Sequence, residues 1–285
     1  MNFRPVDHIA ASKPTIEGAG VHLHRAFGYY EVPKYDPFLL LDDFGSDDPR
    51  DYLLGFPWHP HRGIETVTYV FAGSVRHKDS LGNSGTIGSG DIQWMTAGSG
   101  IIHEEMPEVF EGRMRGFQLW VNLPAKDKMA DPRYQDIRAS AVPEVASDGG
   151  VKVKVICGSY RGVTGPVEDL AVRPEYLDVL LPAGAGFTHD IPADRNAFAY
   201  VAEGAVDLGV GATDITADHV VHFGAGEGVR FTAGPVGARV LLVSGRPLGE
   251  PISWYGPIVM NTEAEIRQAF AEYEAGTFVK KGAIK

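Results

Sequence analysis

The sequence predicts an all-β protein of two tandem barrels with a short C-terminal helix. Three observations carry this. With 35 Gly and 19 Pro in 285 residues, short strands and frequent turns are favoured over long helices. Strand-like runs rich in β-branched and aromatic residues recur along the chain. Two segments of the first half also return in the second half, in the same order and at nearly the same offset.

From the N-terminus, Phe38-Leu39-Leu40-Leu41 reads as a buried strand stopped by Asp42-Asp43. An acidic loop from Ser46 to Tyr52 leads into Gly55-Phe56-Pro57-Trp58-His59-Pro60-His61. Ile64 to Phe71 is a strand, Gly73 turns the chain, and Ser74 to His77, Ile92 to Met95 and Phe117 to Leu123 add strands. Charged, proline-containing Pro124 to Gln135 is the expected inter-domain connection, giving domains 1–135 and 136–285. Val151 to Ile156 alternates as a half-buried strand. The repeats match Tyr69–Val75 with Tyr200–Val206, and Gly90–Gly98 with Gly226–Gly234. Thr262-Glu263-Ala264-Glu265 is a capping box; Ile266, Ala269, Phe270 and Tyr273 follow at helical spacing, and Gly276 is a stop.

Composition excludes several classes. The net charge is −11 without a Lys/Arg cluster; Lys280-Lys281 and Lys285 are too short a run to bind a phosphate backbone. No stretch is apolar for long enough to span a bilayer, and Met1 to Ala10 shows no signal-peptide pattern. The single cysteine, Cys157, allows no intrachain disulfide and reads as a buried apolar residue in a reducing, cytoplasmic setting.

The chemistry sits in two clusters. His59-Pro60-His61 and His103-Glu104-Glu105 each place two ligand types at i and i+2, hence on one face of a strand. His59, His61, His103 and Glu105 together suit a borderline divalent ion: Fe, Mn, Ni, Cu or Zn. Four ligands on an octahedral ion leave two positions open, for a substrate oxygen and for water or dioxygen. The added carboxylate tilts the set from hydrolytic zinc toward oxygen chemistry. The repeat sets Asp190 and Pro192 opposite His59 and His61, and Arg239 and Leu241 opposite His103 and Glu105, so the second barrel holds no such ion. Among the other candidates, Gln118 and Trp120 share a strand face and line the expected pocket, while Trp94 and Met95 point to opposite faces. His22 and His24 form an i, i+2 pair without a carboxylate motif; His189, His219 and His222 read as solvated.

Gly55–Val67, Gly90–Pro107 and the tail Gly256–Thr262 resemble the signature of the pirin family, within the cupin superfamily. The likeness covers nearly the whole chain. It implies a bicupin (two double-stranded β-helix, or jelly-roll, barrels) with iron in the N-terminal one, held by His59, His61, His103 and Glu105. The general cupin pattern takes its carboxylate earlier, at Glu65; strand parity points Glu65 inward too, as a second catalytic or ligand-orienting carboxylate. Glu104 faces the other way. The implied activity is quercetin 2,3-dioxygenase-like: a small aromatic flavonol and dioxygen react, carbon monoxide leaves, and Glu105 or Glu65 takes the substrate proton. A second reading is a metal- and redox-dependent regulator of a transcription factor or metabolic enzyme, for which acidity favours a basic protein partner over nucleic acid. A third is a metal-dependent isomerase or epimerase.

Overall fold

A computed structural model of the chain describes residues 2–209 and 212–280, so Met1, Lys281 and Lys285 lie outside the described residues. Strands dominate, and the one α-helix among the described residues is Glu263–Glu274. No helix among them is long and apolar enough to cross a membrane.

The N-terminal barrel is built from a seven-stranded and a four-stranded sheet. The larger has the order Arg133–Ile137, Ile92–Thr96, Ile64–Ala72, Met114–Asn122, Phe38–Ser46, Val21–Phe27, Lys13–Glu17. The smaller has the order Phe56–His61, Ile101–Pro107, Val75–Asp79, Ser84–Ile87. The Thr68 hydroxyl, on the larger sheet, donates to Glu105 on the smaller at 3.0 Å, so the two sheets meet across the interior.

The C-terminal barrel repeats the scheme. Its sheet runs Val6–Ala11, His219–Phe223, Asn196–Asp207, Gly228–Gly245, Glu175–Leu181, Lys152–Cys157, Glu144–Ala146. This order corresponds strand for strand to the seven-stranded sheet. The remaining strands, Gly186–Asp190 and Ile215–Thr216, pair with Gly228–Gly245 and Asn196–Asp207. Its interior is a continuous apolar cluster, including Val153, Leu177, Val179, Val201, Val240 and Leu242.

The compact units differ from the contiguous halves 1–135 and 136–285. One comprises 1–13, 34–37 and 140–247; the other 14–33, 38–139 and 248–285. Strand pairing is the reason. Val6–Ala11 closes the edge of the C-terminal barrel on His219–Phe223, whereas Arg133–Ile137, which begins inside the expected connector Pro124 to Gln135, pairs with Ile92–Thr96. The tail and its helix belong to the N-terminal unit. There Arg62, 2% exposed, donates to the Ser99 and Phe278 carbonyls at 2.7 and 3.0 Å and pairs with Glu272 at 2.8 Å. Lys128, also buried, donates to the carbonyls of Gly63 and Val259 (2.9 Å each) and to Asn122 Oδ1 (2.6 Å). All three ammonium hydrogens are thus used, which is how a cation survives burial.

Two further expectations are corrected. The strand beginning at Phe38 does not stop at Asp42-Asp43 but runs to Ser46. Each buried aspartate is met by a forked guanidinium: Arg25 on Asp42 at 2.8 and 2.8 Å, Arg115 on Asp43 at 3.2 and 2.6 Å. The repeat also needs a different register. Strand order aligns Ile92–Thr96 with His219–Phe223, and Ile101–Pro107 with the start of Gly228–Gly245. Gly226–Gly234 is therefore not the counterpart of Gly90–Gly98.

Candidate metal centre

His59 and His61 sit at the end of Phe56–His61, and His103 pairs directly with His59 on the neighbouring antiparallel strand. This pairing brings a third imidazole to the two that i, i+2 spacing already places together. The ligand nitrogens of His59, His61 and His103 lie within 4.8 Å of one another, and this is the one such cluster among the described residues.

Backbone carbonyls fix two of the rings. His59 Nδ1 lies 2.9 Å from the Pro57 carbonyl oxygen and His61 Nδ1 3.2 Å from that of Pro257. A carbonyl only accepts, so each Nδ1 carries the proton and each Nε2 presents a lone pair. The two Nε2 atoms are 3.0 Å apart. Two lone pairs facing at that distance repel unless a cation lies between them. Neither ring nitrogen of buried His103 has a hydrogen-bond partner among the described residues. A buried polar atom left unsatisfied costs about 1–3 kcal/mol. Burial holds the His61 and His103 pKa values well below the usual histidine value, and neighbouring imidazoles push the same way. The rings are thus neutral and ready to coordinate. On these grounds the donor set fits a divalent metal.

Glu105 stands at the margin of the cluster. Its Oε2 is 3.9 Å from His103 Nε2, while Oε1 accepts from Thr68. Burial pushes its pKa up to about 7, against the hydrogen bond from Thr68. The Thr68 oxygen is also 2.8 Å from Gln118 Oε1, and one hydroxyl hydrogen cannot serve two acceptors. Turning the Gln118 amide resolves this: its NH2 then donates to Thr68, and Thr68 to an ionised Glu105.

Glu65 lies elsewhere. Its carboxylate accepts from Trp94 Nε1 at 3.1 Å and Thr96 Oγ1 at 2.8 Å, on the sheet face opposite to Thr68. Strand parity does not carry across from His61, because Gly63, at φ +78°, separates Phe56–His61 from Ile64–Ala72 and resets the alternation. Glu104 is placed as expected, 3.9 Å from Lys78. Trp94 and Met95 are both buried. Outside the centre, His22 pairs with Asp51 at 3.2 Å. His189 and His222 are not solvated; they pair with Glu175 at 2.8 Å and Asp7 at 3.0 Å. An imidazole flanked by a carboxylate tolerates burial, which residue spacing does not reveal. Cys157 is buried, as expected.

The centre opens into a cavity of about 740 Å³. One wall is a chain of rings. Trp120 meets His61 edge-on at 5.1 Å between centroids, Trp254 lies 5.7 Å from Trp120, and Tyr29 lies 5.6 Å from Trp254. Gln118 and Trp120 line the cavity as the sequence suggested, together with Arg25, Asp42 and the tail residues Trp254 to Pro257. Sequence reasoning missed Thr68 and Tyr29, and put the tail in the other domain. Arg25 was missed as well, because Asp42-Asp43 read as the end of a strand and not as buried carboxylates in need of a cation.

A sequence model described as Pirin matches residues 20–121, and one described as Pirin C-terminal cupin domain matches residues 176–279. A "Pirin-like protein" of Caulobacter vibrioides is 51% identical over 279 residues, covering 98% of this chain and 100% of that one. The crystal structure of a quercetin 2,3-dioxygenase from Acinetobacter baumannii superposes with a TM-score of 0.90 at 34% identity, covering 99% of this chain and 100% of that one. The bacterial pirin YhhW of Escherichia coli, crystallised in complex with nickel(II), shares the fold at a TM-score of 0.64 and 21% identity, over 84% of this chain and 100% of that one.

Proposed function

This chain belongs to the pirin family, and on that premise we propose that it is a metal-dependent dioxygenase that opens the central ring of flavonols such as quercetin. The observation that carries the reading is the convergence of three neutral imidazoles at one end of an aromatic-walled cavity.

His59, His61 and His103 hold one divalent ion, with Glu105 as the fourth ligand; iron is the first choice, with nickel, manganese, copper and zinc the alternatives. When bound, the metal supplies Lewis-acid coordination of a substrate oxygen and a site for dioxygen. The carbonyls of Pro57 and Pro257 fix the tautomer that turns both Nε2 atoms inward. Glu105 accepts the 3-hydroxyl proton of the flavonol, and Thr68 keeps the carboxylate aimed at the centre. Trp120 and Trp254, side by side on one wall, pack against the flat ring system and exclude water from the reacting face. Both oxygen atoms of dioxygen enter the product and one ring carbon leaves as carbon monoxide. A reducing cytoplasmic compartment suits this assignment and the buried Cys157.

Metal quantification coupled to oxygen-consumption assays, with each of the five metals restored in turn, tests the proposal. One equivalent of metal per chain and quercetin-dependent carbon monoxide release are expected. Iron-loaded protein that consumes quercetin no faster than a His59→Ala control would refute it.

A further inference from the structure

One rung of the seven-stranded sheet is polar across six strands. Arg25 pairs with Asp42, Asp42 with Gln118, Gln118 with Thr68, Thr68 with Gln93, and Gln93 with Asp136. Inside the cavity the rungs on either side are apolar, with Leu40 beside Trp120 and Leu23 beside Phe44. Thr68 and Gln118 serve Glu105. The cavity end of the rung, Arg25 and Asp42, touches none of the metal-binding side chains.

The geometry of that end is specific. Arg25 Nε and Nη2 both reach Asp42 at 2.8 Å, and Nη1 reaches Glu17 at 2.9 Å. A guanidinium has five N–H donors, so two remain on a side chain that lines the cavity. One cation faces two carboxylates, leaving the cluster one negative charge in excess. A carboxylate or phosphate on the ligand would meet that charge and be repelled. A phenolic hydroxyl both donates and accepts, and it matches a surface that offers carboxylate oxygens beside N–H groups.

We infer that Arg25, Asp42 and Glu17 form a subsite that selects a hydroxyl on the ring of the ligand remote from the metal. The preferred substrates are then neutral, flat, polyhydroxylated aromatics rather than aromatic acids or bare flavonols. This rests on the flavonol reading above. The aromatic chain from His61 through Trp120 and Trp254 to Tyr29 supplies affinity for any flat ring system; the polar cluster supplies the discrimination. Leaving such groups unmatched is costly, so a ligand lacking the hydroxyl is disfavoured.

The test uses full-length metal-free protein, with quenching of tryptophan fluorescence as the readout. Quercetin is compared with 3-hydroxyflavone, which lacks the remote hydroxyls. The native protein is expected to bind quercetin about tenfold tighter, the worth of one hydrogen bond to a charged group. In the Arg25→Gln/Asp42→Asn double variant, which removes both charges and keeps both side chains polar, that ratio falls to about one. A purely structural ion pair would weaken both ligands together and leave the ratio unchanged. Glu17→Gln, at a half-buried position, lowers the ratio by about threefold and serves as the deciding variant if the double variant does not fold. A native ratio near one, or a ratio that survives in these variants, overturns the inference. Turnover separates the two claims: selective binding without ring cleavage refutes the reaction alone, and ring cleavage with an unmoved ratio refutes the subsite alone.

Discussion

In the N-terminal barrel, strand Phe56–His61 runs beside Ile101–Pro107 with His59 opposite His103. In the C-terminal barrel the corresponding strand, Gly186–Asp190, runs beside the start of Gly228–Gly245 with Phe187 opposite Phe231. The backbone pairing is shared and the side chains decide the outcome. The first pair of strands carries two imidazoles, whereas the second carries two stacked phenyl rings, 4.9 Å apart and 29° from parallel. There the interior is filled with apolar side chains. In the first, part of it is left polar, and the ring nitrogens of His103 have no hydrogen-bond partner among the described residues. Stability and chemistry thus divide between two copies of one architecture. The filled copy gains hydrophobic burial, and the other retains buried polar groups that a metal ion can satisfy.

The largest expected effect comes from removing the feature that separates the barrels. His103→Ala should abolish stoichiometric metal, read by elemental analysis, and lower quercetin turnover on the order of a thousandfold. Converting the C-terminal barrel toward the N-terminal one should fail. Phe187→His/Phe231→His loses the stacked pair without gaining the carbonyl-fixed tautomers, costs about 3–5 kcal/mol in urea unfolding, and binds no added metal. A third change asks whether Glu65 belongs to the metal site or to the wall behind it. Glu65→Ala strands the Trp94 indole N–H and the Thr96 hydroxyl, so stability should drop by about 2 kcal/mol while metal stoichiometry stays at one per chain. Loss of metal in this variant would return Glu65 to the centre.

The smallest effect concerns pH. The imidazoles are neutral across the neutral range because their pKa values are depressed, so the proton displaced by an incoming cation comes from Glu105, whose pKa is raised to about 7. Below about pH 7 the carboxyl is protonated and the cation must compete for it. Affinity should therefore rise about tenfold per pH unit up to that point and level off above it. Calorimetry in buffers of different ionisation enthalpy would count the released proton, and Glu105→Gln should flatten the slope.

Much of this was legible in the chain. The i, i+2 spacing of His59 with His61 needs nothing beyond an extended backbone. The capping box at Thr262 forms as read, with the Thr262 hydroxyl accepting from the Glu265 amide. Parity at Glu65 was not legible, because one glycine with positive φ breaks a strand that looks continuous. The continuation of the Phe38 strand through Asp42 and Asp43 was hidden for another reason. Arg25 and Arg115 reach those carboxylates from strands 17 and 72 residues away. Exchange of the terminal segments between the compact units depends on which sheet edge each finds, and no local pattern encodes it.

By itself the sequence determined the ligand types, their strand-borne spacing and the duplication, because these follow from backbone periods of two residues and from side-chain chemistry. Only the tertiary structure decided which sheet face Glu65 occupies, which segment closes each barrel, and how the Pro257 carbonyl comes to hold His61. Those outcomes are contacts between residues far apart in the chain, set by strand register and the packing of two sheets.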